Sequence, residues 1–174
     1  MLNTLHFRLV KMAPAFLRMP AKMIPFACKR QVIEQMLNLQ FRQAIDEGDL
    51  AFLAGRWLRI EVRDLGLQWF TSLKENTLIV RESAEADVTF SAEVNDLLLV
   101  AARKQDPDTL FFQRRLIIEG DTELGLYVKN LMDAIELDTM PTPLRIALLQ
   151  LANFIETGLN NNTVPESNSI GEPC

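Results

Sequence analysis

This chain has little histidine, little cysteine and no acid near its start. Its 174 residues include one histidine, His6. A histidine-based triad with partners elsewhere therefore has no well-placed base, and a multi-histidine metal site cannot be assembled. The two cysteines, Cys28 and Cys174, have no CxxC or ligand-like spacing; this sets aside a disulfide framework and a zinc site and fits a reducing cytoplasm. No uninterrupted apolar run approaches the roughly 18 residues that span a bilayer. Charges interrupt any would-be secretory signal, no cleavage site follows, and no internal repeat is present. The first acid is Glu34, after six basic residues (Arg8, Lys11, Arg18, Lys22, Lys29, Arg30). The rest holds 12 of the 18 basic residues against all 23 acidic ones, so the net charge of −5 conceals a body at −11. An acidic body lacks the basic footprint that phosphate neutralisation needs, which argues against nucleic acid as a partner.

What is present is apolar. Hydrophobic residues make up 48% of the chain and charged ones 24%, a composition for one globular domain of a size that buries roughly 70% of its unfolded surface. Residues 1–25 form a basic amphipathic segment, with Leu2, Leu5, Leu9, Val10, Phe16 and Leu17 among spaced cations and with breaks at Pro14, Pro20 and Pro25. Arg8, Lys11, Arg18 and Lys22 are its candidate membrane contacts. Two readings stand, a segment lying on a membrane surface or an N-terminal helix packed on the domain. Arg and Lys without acid also suit a mitochondrial presequence.

Residues 26–158 carry the domain. A helix opens at Pro25, places Val32, Met36, Leu37, Phe41, Ala44 and Ile45 inward, and ends at Gly48. Strand patterns follow at 56–64, 67–73, 77–82 and 86–92, and their short connections favour an antiparallel meander. A helix at 93–104 comes next. Asp106 and Pro107 signal a short helix, Leu116–Ile118 a buried strand, and the spacing of Leu124, Tyr127, Val128, Leu131 and Met132 a helix over 122–137. A last helix starts at Thr142. Beyond Gly158 the sequence is polar and aperiodic, so residues 159–174 are expected to be a disordered tail. The pattern is α+β, about five mostly antiparallel strands with helices on one face.

No catalytic constellation stands out. Gly120 and Gly125 have phosphate-loop spacing, but Leu126 occupies the position of the essential lysine. Asp106, Asp108, Asp121 and Glu123 sit at helix starts, where caps and first-turn acids belong. Neither a cofactor nor a metal is implied.

The run ADVTFSAEVNDLLLVAARKQDPDTLFFQRRLIIEGDTELGLYVKNL resembles the sterol carrier protein type 2 family. Its members share a strand, a helix, an Asp-Pro aromatic turn, a strand ending in Glu-Gly-Asp, and a helix. Together with FRQAIDEGDLAFLAGRWL and the Gly-Glu-Pro-Cys end, the whole chain is similar to a bacterial subgroup of ubiquinone-biosynthesis accessory lipid carriers, which argues against a presequence. Arg114 and Arg115 depart from the pattern, standing where many members place a small residue. The resemblance implies a sterol-carrier-like fold enclosing an apolar cavity, and a non-catalytic carrier for an isoprenoid quinone or its precursors. It further implies the oxygen-independent pathway, with hydroxylation by an iron–sulfur protein pair of the collagenase-like peptidase family, and a cytoplasmic protein in transient contact with the anionic inner membrane. Trp69, Phe90, Leu98, Phe111, Phe112, Leu124, Tyr127, Val128 and Leu131 are the candidate lipid-lining residues. The alternative is an adaptor that docks biosynthetic enzymes without holding a lipid.

Overall fold

The computed structural model describes Met12, Met23–Asp133 and Thr142–Asn160. Its elements, in chain order, are α1 (Phe26–Gln40), α2 (Arg42–Glu47), a 3-10 turn (Ala51–Leu53), β1 (Leu58–Val62), β2 (Leu67–Lys74), β3 (Thr77–Arg81), β4 (Val88–Ala92), α3 (Val94–Ala101), α4 (Pro107–Phe112), β5 (Ile117–Gly120), α5 (Thr122–Asp133) and α6 (Thr142–Asn160). Most of the N-terminal basic segment and most of the tail lie outside the described residues.

Local chemistry sets several element ends. The Asp106 carboxylate accepts hydrogen bonds from the backbone N–H groups of Asp108 and Thr109, with Pro107 at the start of α4, as an N-cap followed by proline should. Gly48 closes α2 at φ +83°, a left-handed conformation that glycine adopts without steric cost. The helix expected between Pro25 and Gly48 is two helices, because the backbone breaks at Phe41 (φ −103°, ψ 17°). Two residues expected to face inward also differ, Val32 and Met36 being exposed, while Leu37, Phe41, Ala44 and Ile45 pack on the core.

The five strands lie in the order β3-β2-β1-β4-β5. Three neighbouring pairs are antiparallel, but β1 and β4 run parallel, which corrects the simple meander. Parallel neighbours ordinarily need a long crossover because the chain must return along the strand. Here the register removes that need. Arg81, the last residue of β3, stands level with Phe70, Arg59 and Thr89, so residues 82–87 only have to cross the sheet sideways to reach Val88.

Side chains alternate between faces along a strand. The register therefore places Trp69, Ile60, Phe90 and Ile118 in one row across four strands. All strand residues of the main core share that face and meet Leu50, Leu53, Val100, Leu110, Leu116, Leu124 and Val128 from the helices and loops. The other face carries Arg59, Glu61, Gln68, Lys74, Arg81 and Glu119, and with them the buried Phe70, Ser72 and Ser91. Each fully buried leucine contributes about 1.5–3 kcal/mol, and those of the main core gather on the first face, which the helices cover. A second cluster, Leu99 and Ala102 with Ala152 and Ile155, joins α6 to α3.

α1 is attached differently, having no buried residue. Its Asn38 side chain donates to the Leu78 carbonyl and accepts from the Leu78 N–H, both at 2.8 Å, while Glu34 accepts from the Val80 N–H at 2.8 Å. Helix side chains thus take the place of a sixth strand along the β3 edge.

Candidate functional site

Between the first half of α1 and the β1–β2 hairpin lies a cleft of about 540 Å³, open to solvent on one side. The helix supplies Phe26, Val32 and Ile33 as one wall, and the sheet supplies Val62, Leu67 and Trp69 as the other. Both walls follow from local pattern. Leu67 lies opposite Val62 and Trp69 opposite Ile60, so these side chains emerge on the helix-covered face. Gly66, at φ +62°, supplies the left-handed residue that lets the chain turn between the two strands. Polar groups are few: Lys29, Gln68 and Glu82. The indole N–H of Trp69 is buried without a hydrogen-bond partner among the described residues, an unmet donor of the kind that costs about 1–3 kcal/mol. A mostly apolar concavity of this volume with few polar groups is the ordinary form of a small-molecule site.

The candidate lining residues do not gather at one place. Trp69 is in the cleft. Phe90, Leu124 and Val128 are buried side by side in the core, with Leu131 packed against them. Leu98 faces α6 in the second cluster. Tyr127 is exposed and stacks on Phe52 with ring centroids 5.3 Å apart. Phe111 and Phe112 are exposed and border two grooves beside β5, at the opposite edge of the sheet from α1. Between the sheet and α5 the described core residues pack against one another, and the cleft described above lies under α1. Sequence reasoning passed over Phe26, Ile33, Val62 and Leu67. A signal existed in α1, where Val32, Ile33, Met36, Leu37 and Leu39 spread apolar groups around more than one side of a helix. Arg8, Lys11, Arg18 and Lys22 fall outside the described residues.

The acids weighed as catalysts have structural partners. Asp106 caps α4, and Asp121 accepts from the Leu124 N–H at 2.9 Å while pairing with Arg56 at 3.2 Å. Asp108 receives the Lys129 ammonium at 2.5 Å. That hydrogen bond raises the Lys129 pKa, against the lowering effect of burial. Burial, followed by the nearby carboxylates of Asp106 and Asp108, raises the pKa of Asp133. Neither group lies in the cleft. The two departing arginines also have local roles. Arg114 takes a left-handed φ of +58°, and Arg115 forms an ion pair with the buried Asp96. Among the described residues, no group of three or more His, Cys, Asp or Glu could hold a metal, and no helix is long and apolar enough to cross a membrane.

A mostly antiparallel five-stranded sheet, roofed on one face by helices and holding an apolar cleft, is the layout of a sterol-carrier-type domain. Comparison with known proteins agrees. The chain belongs to the SCP-2 sterol transfer family, whose sequence model matches residues 33–133. It is 62% identical, over all 174 residues of both chains, to the ubiquinone biosynthesis accessory factor UbiT of Escherichia coli strain K12. Among solved structures it is similar to the UbiJ-SCP2 ubiquinone synthesis protein, with a TM-score of 0.53 and 25% identity, covering 64% of this chain and 100% of that one. The sterol carrier protein domain 2 of Helicoverpa armigera also matches, with a TM-score of 0.43 and 20% identity over 60% of this chain and 83% of the other.

Proposed function

We propose that this chain is a non-catalytic carrier that holds an isoprenoid quinone or its precursors during ubiquinone biosynthesis, while partner enzymes modify the ring. The observation that carries the proposal is the apolar cleft between α1 and the β1–β2 hairpin. The whole-length similarity to a ubiquinone biosynthesis accessory factor supports it. A polyprenyl tail is insoluble, and each CH₂ moved out of water contributes about 0.8 kcal/mol, so a short buried stretch retains a long chain. The oxygen-independent pathway, with an iron–sulfur hydroxylase pair as partner, is the setting proposed for it.

Native mass spectrometry of the purified protein, followed by lipid extraction, tests this reading. An isoprenoid species should copurify with the wild type. Leu67→Asp, which puts a charge into the apolar wall, should lose it while keeping a native circular dichroism spectrum. A wild type that is consistently empty, yet still captures biosynthetic enzymes, would favour the adaptor.

A further inference from the structure

Two polar groups that line the α1 cleft are unmatched among the described residues. The indole N–H of Trp69 is buried without a partner, and the exposed Glu82 carboxylate has neither a hydrogen bond nor an ion pair among them. The sheet brings the two together. Arg81, the last residue of β3, pairs with Phe70, so the chain leaves β3 at Glu82 level with Trp69, one strand spacing of about 4.8 Å away. Both residues line the cleft. Its other polar groups are placed differently. Gln68 accepts from Arg59 at 2.7 Å, and Lys29 belongs to the α1 wall.

An indole N–H can only donate, and a carboxylate can only accept. One hydroxyl on an aromatic ring satisfies both, its oxygen accepting from the indole and its hydrogen donated to the carboxylate. A quinone carbonyl meets Trp69 alone and sets its second lone pair against Glu82, and an ether oxygen does the same. A plain hydrocarbon offers nothing to either group. So few polar groups in an apolar cleft fix the orientation of a ligand. A site that hydrogen-bonds a hydroxyl also rejects analogues that lack it, because its own polar groups are then left unpaired.

We infer, resting on the carrier reading of this cleft, that it selects a prenylated phenol or hydroquinone over the oxidised quinone, with Trp69 and Glu82 as the specificity-determining pair. The ring lies against Trp69 with its hydroxyl between the indole N–H and Glu82. The prenyl tail runs between α1 and the apolar wall of Val62 and Leu67. Reaching the N–H displaces side chains of α1 rather than the sheet. That helix has no buried residue, and its bonds to the β3 edge, from Glu34 and Asn38, fall beyond the cleft-lining stretch that ends at Ile33. Weaker binding of the oxidised ring favours its release.

Calorimetric titration of the full chain with four ligands that share one tail tests this: ortho-geranylphenol, its methyl ether, geranyl-para-benzoquinone and geranylbenzene. The phenol should bind about fivefold more tightly than the ether or the quinone, the difference made by one net hydrogen bond, and geranylbenzene should bind least. Trp69→Phe, which keeps an aromatic ring on the wall, should erase the advantage of the ether over geranylbenzene. Glu82→Gln should erase that of the phenol over the quinone, because a side-chain amide can donate to a carbonyl. Glu82 is exposed, so this second variant keeps a native circular dichroism spectrum even if Trp69→Phe does not. A wild type that binds phenol, ether and quinone alike, or a Glu82→Gln variant with the wild-type preference, would overturn the inference and leave the carrier reading standing. Binding of none of the four, or binding that Leu67→Asp leaves unchanged, would overturn the carrier reading of the cleft and the inference with it.

Discussion

Replacing Asn38 by alanine probes how α1, the roof of the cleft, is held. The substitution removes the two hydrogen bonds to Leu78 and leaves a strand-edge N–H and C=O to find water beneath a helix. Two such bonds contribute about 2 kcal/mol net. Alanine returns about 0.5 kcal/mol through its higher helix propensity, so the expected loss is about 1.5 kcal/mol. At this chain length that is a fall in Tm of about 3–6 °C. α1 has no fully buried residue to compensate, so the effect should be local as well as global. Amide exchange at Leu78 and Val80 should quicken before exchange in β1 or β4 does. Asn38→Asp divides the two bonds, because a carboxylate still accepts from the Leu78 N–H but cannot donate to its carbonyl; its loss should be at least that of one bond. Urea unfolding and hydrogen exchange measure both. A loss below about 0.5 kcal/mol, with Leu78 exchange unchanged, would refute the reasoning, because edge bonds of this kind should each be worth about 1 kcal/mol.

Gly120→Ala should destabilise the fold by at least about 2 kcal/mol, since φ is +110° there and an added Cβ would collide with the carbonyl oxygen of Asp87; chemical denaturation reads this directly. The raised pKa of Lys129 means that its bond to Asp108, beside Asp106 and Asp133, stabilises the fold below the ordinary lysine value of about 10.4. That contribution should disappear as pH rises through the higher folded value. Lys129→Met should flatten this alkaline part of a stability–pH profile, and an unchanged profile would show that the pair contributes nothing. Changing Arg8, Lys11, Arg18 and Lys22 together to Gln should abolish co-sedimentation with anionic liposomes, removing at most about 4 kcal/mol of attraction. Equal binding by wild type and variant would favour an N-terminal helix packed on the domain.

Sequence alone determined what depends on neighbours in the chain. Asp106 with Pro107 and the glycines at 48 and 120 mark element ends because capping and positive φ are decided within a few residues. The alternation in β1 and β4 and the stripe Leu124, Val128, Leu131 identify the buried faces, because periodicity is a property of each element by itself. The family was legible for the same reason, in one contiguous run from strand through helix, turn and strand to helix.

Tertiary structure decided the rest. The parallel pairing of β1 with β4 depends on the stagger of β3, which arises from contacts between strands and leaves no mark on the loop at 82–87. The stripe on α5 reads the same whatever it faces; in the fold it meets Phe90 and Leu116, which approach from other elements. The cleft appears under α1 because that helix is tied by Asn38 and Glu34 to a strand edge some 40 residues away, which leaves its first half standing off the sheet above Leu67 and Trp69. Chain pattern specifies which side of an element is apolar, whereas a cavity is the volume that several such sides fail to fill, and only their relative placement sets that volume.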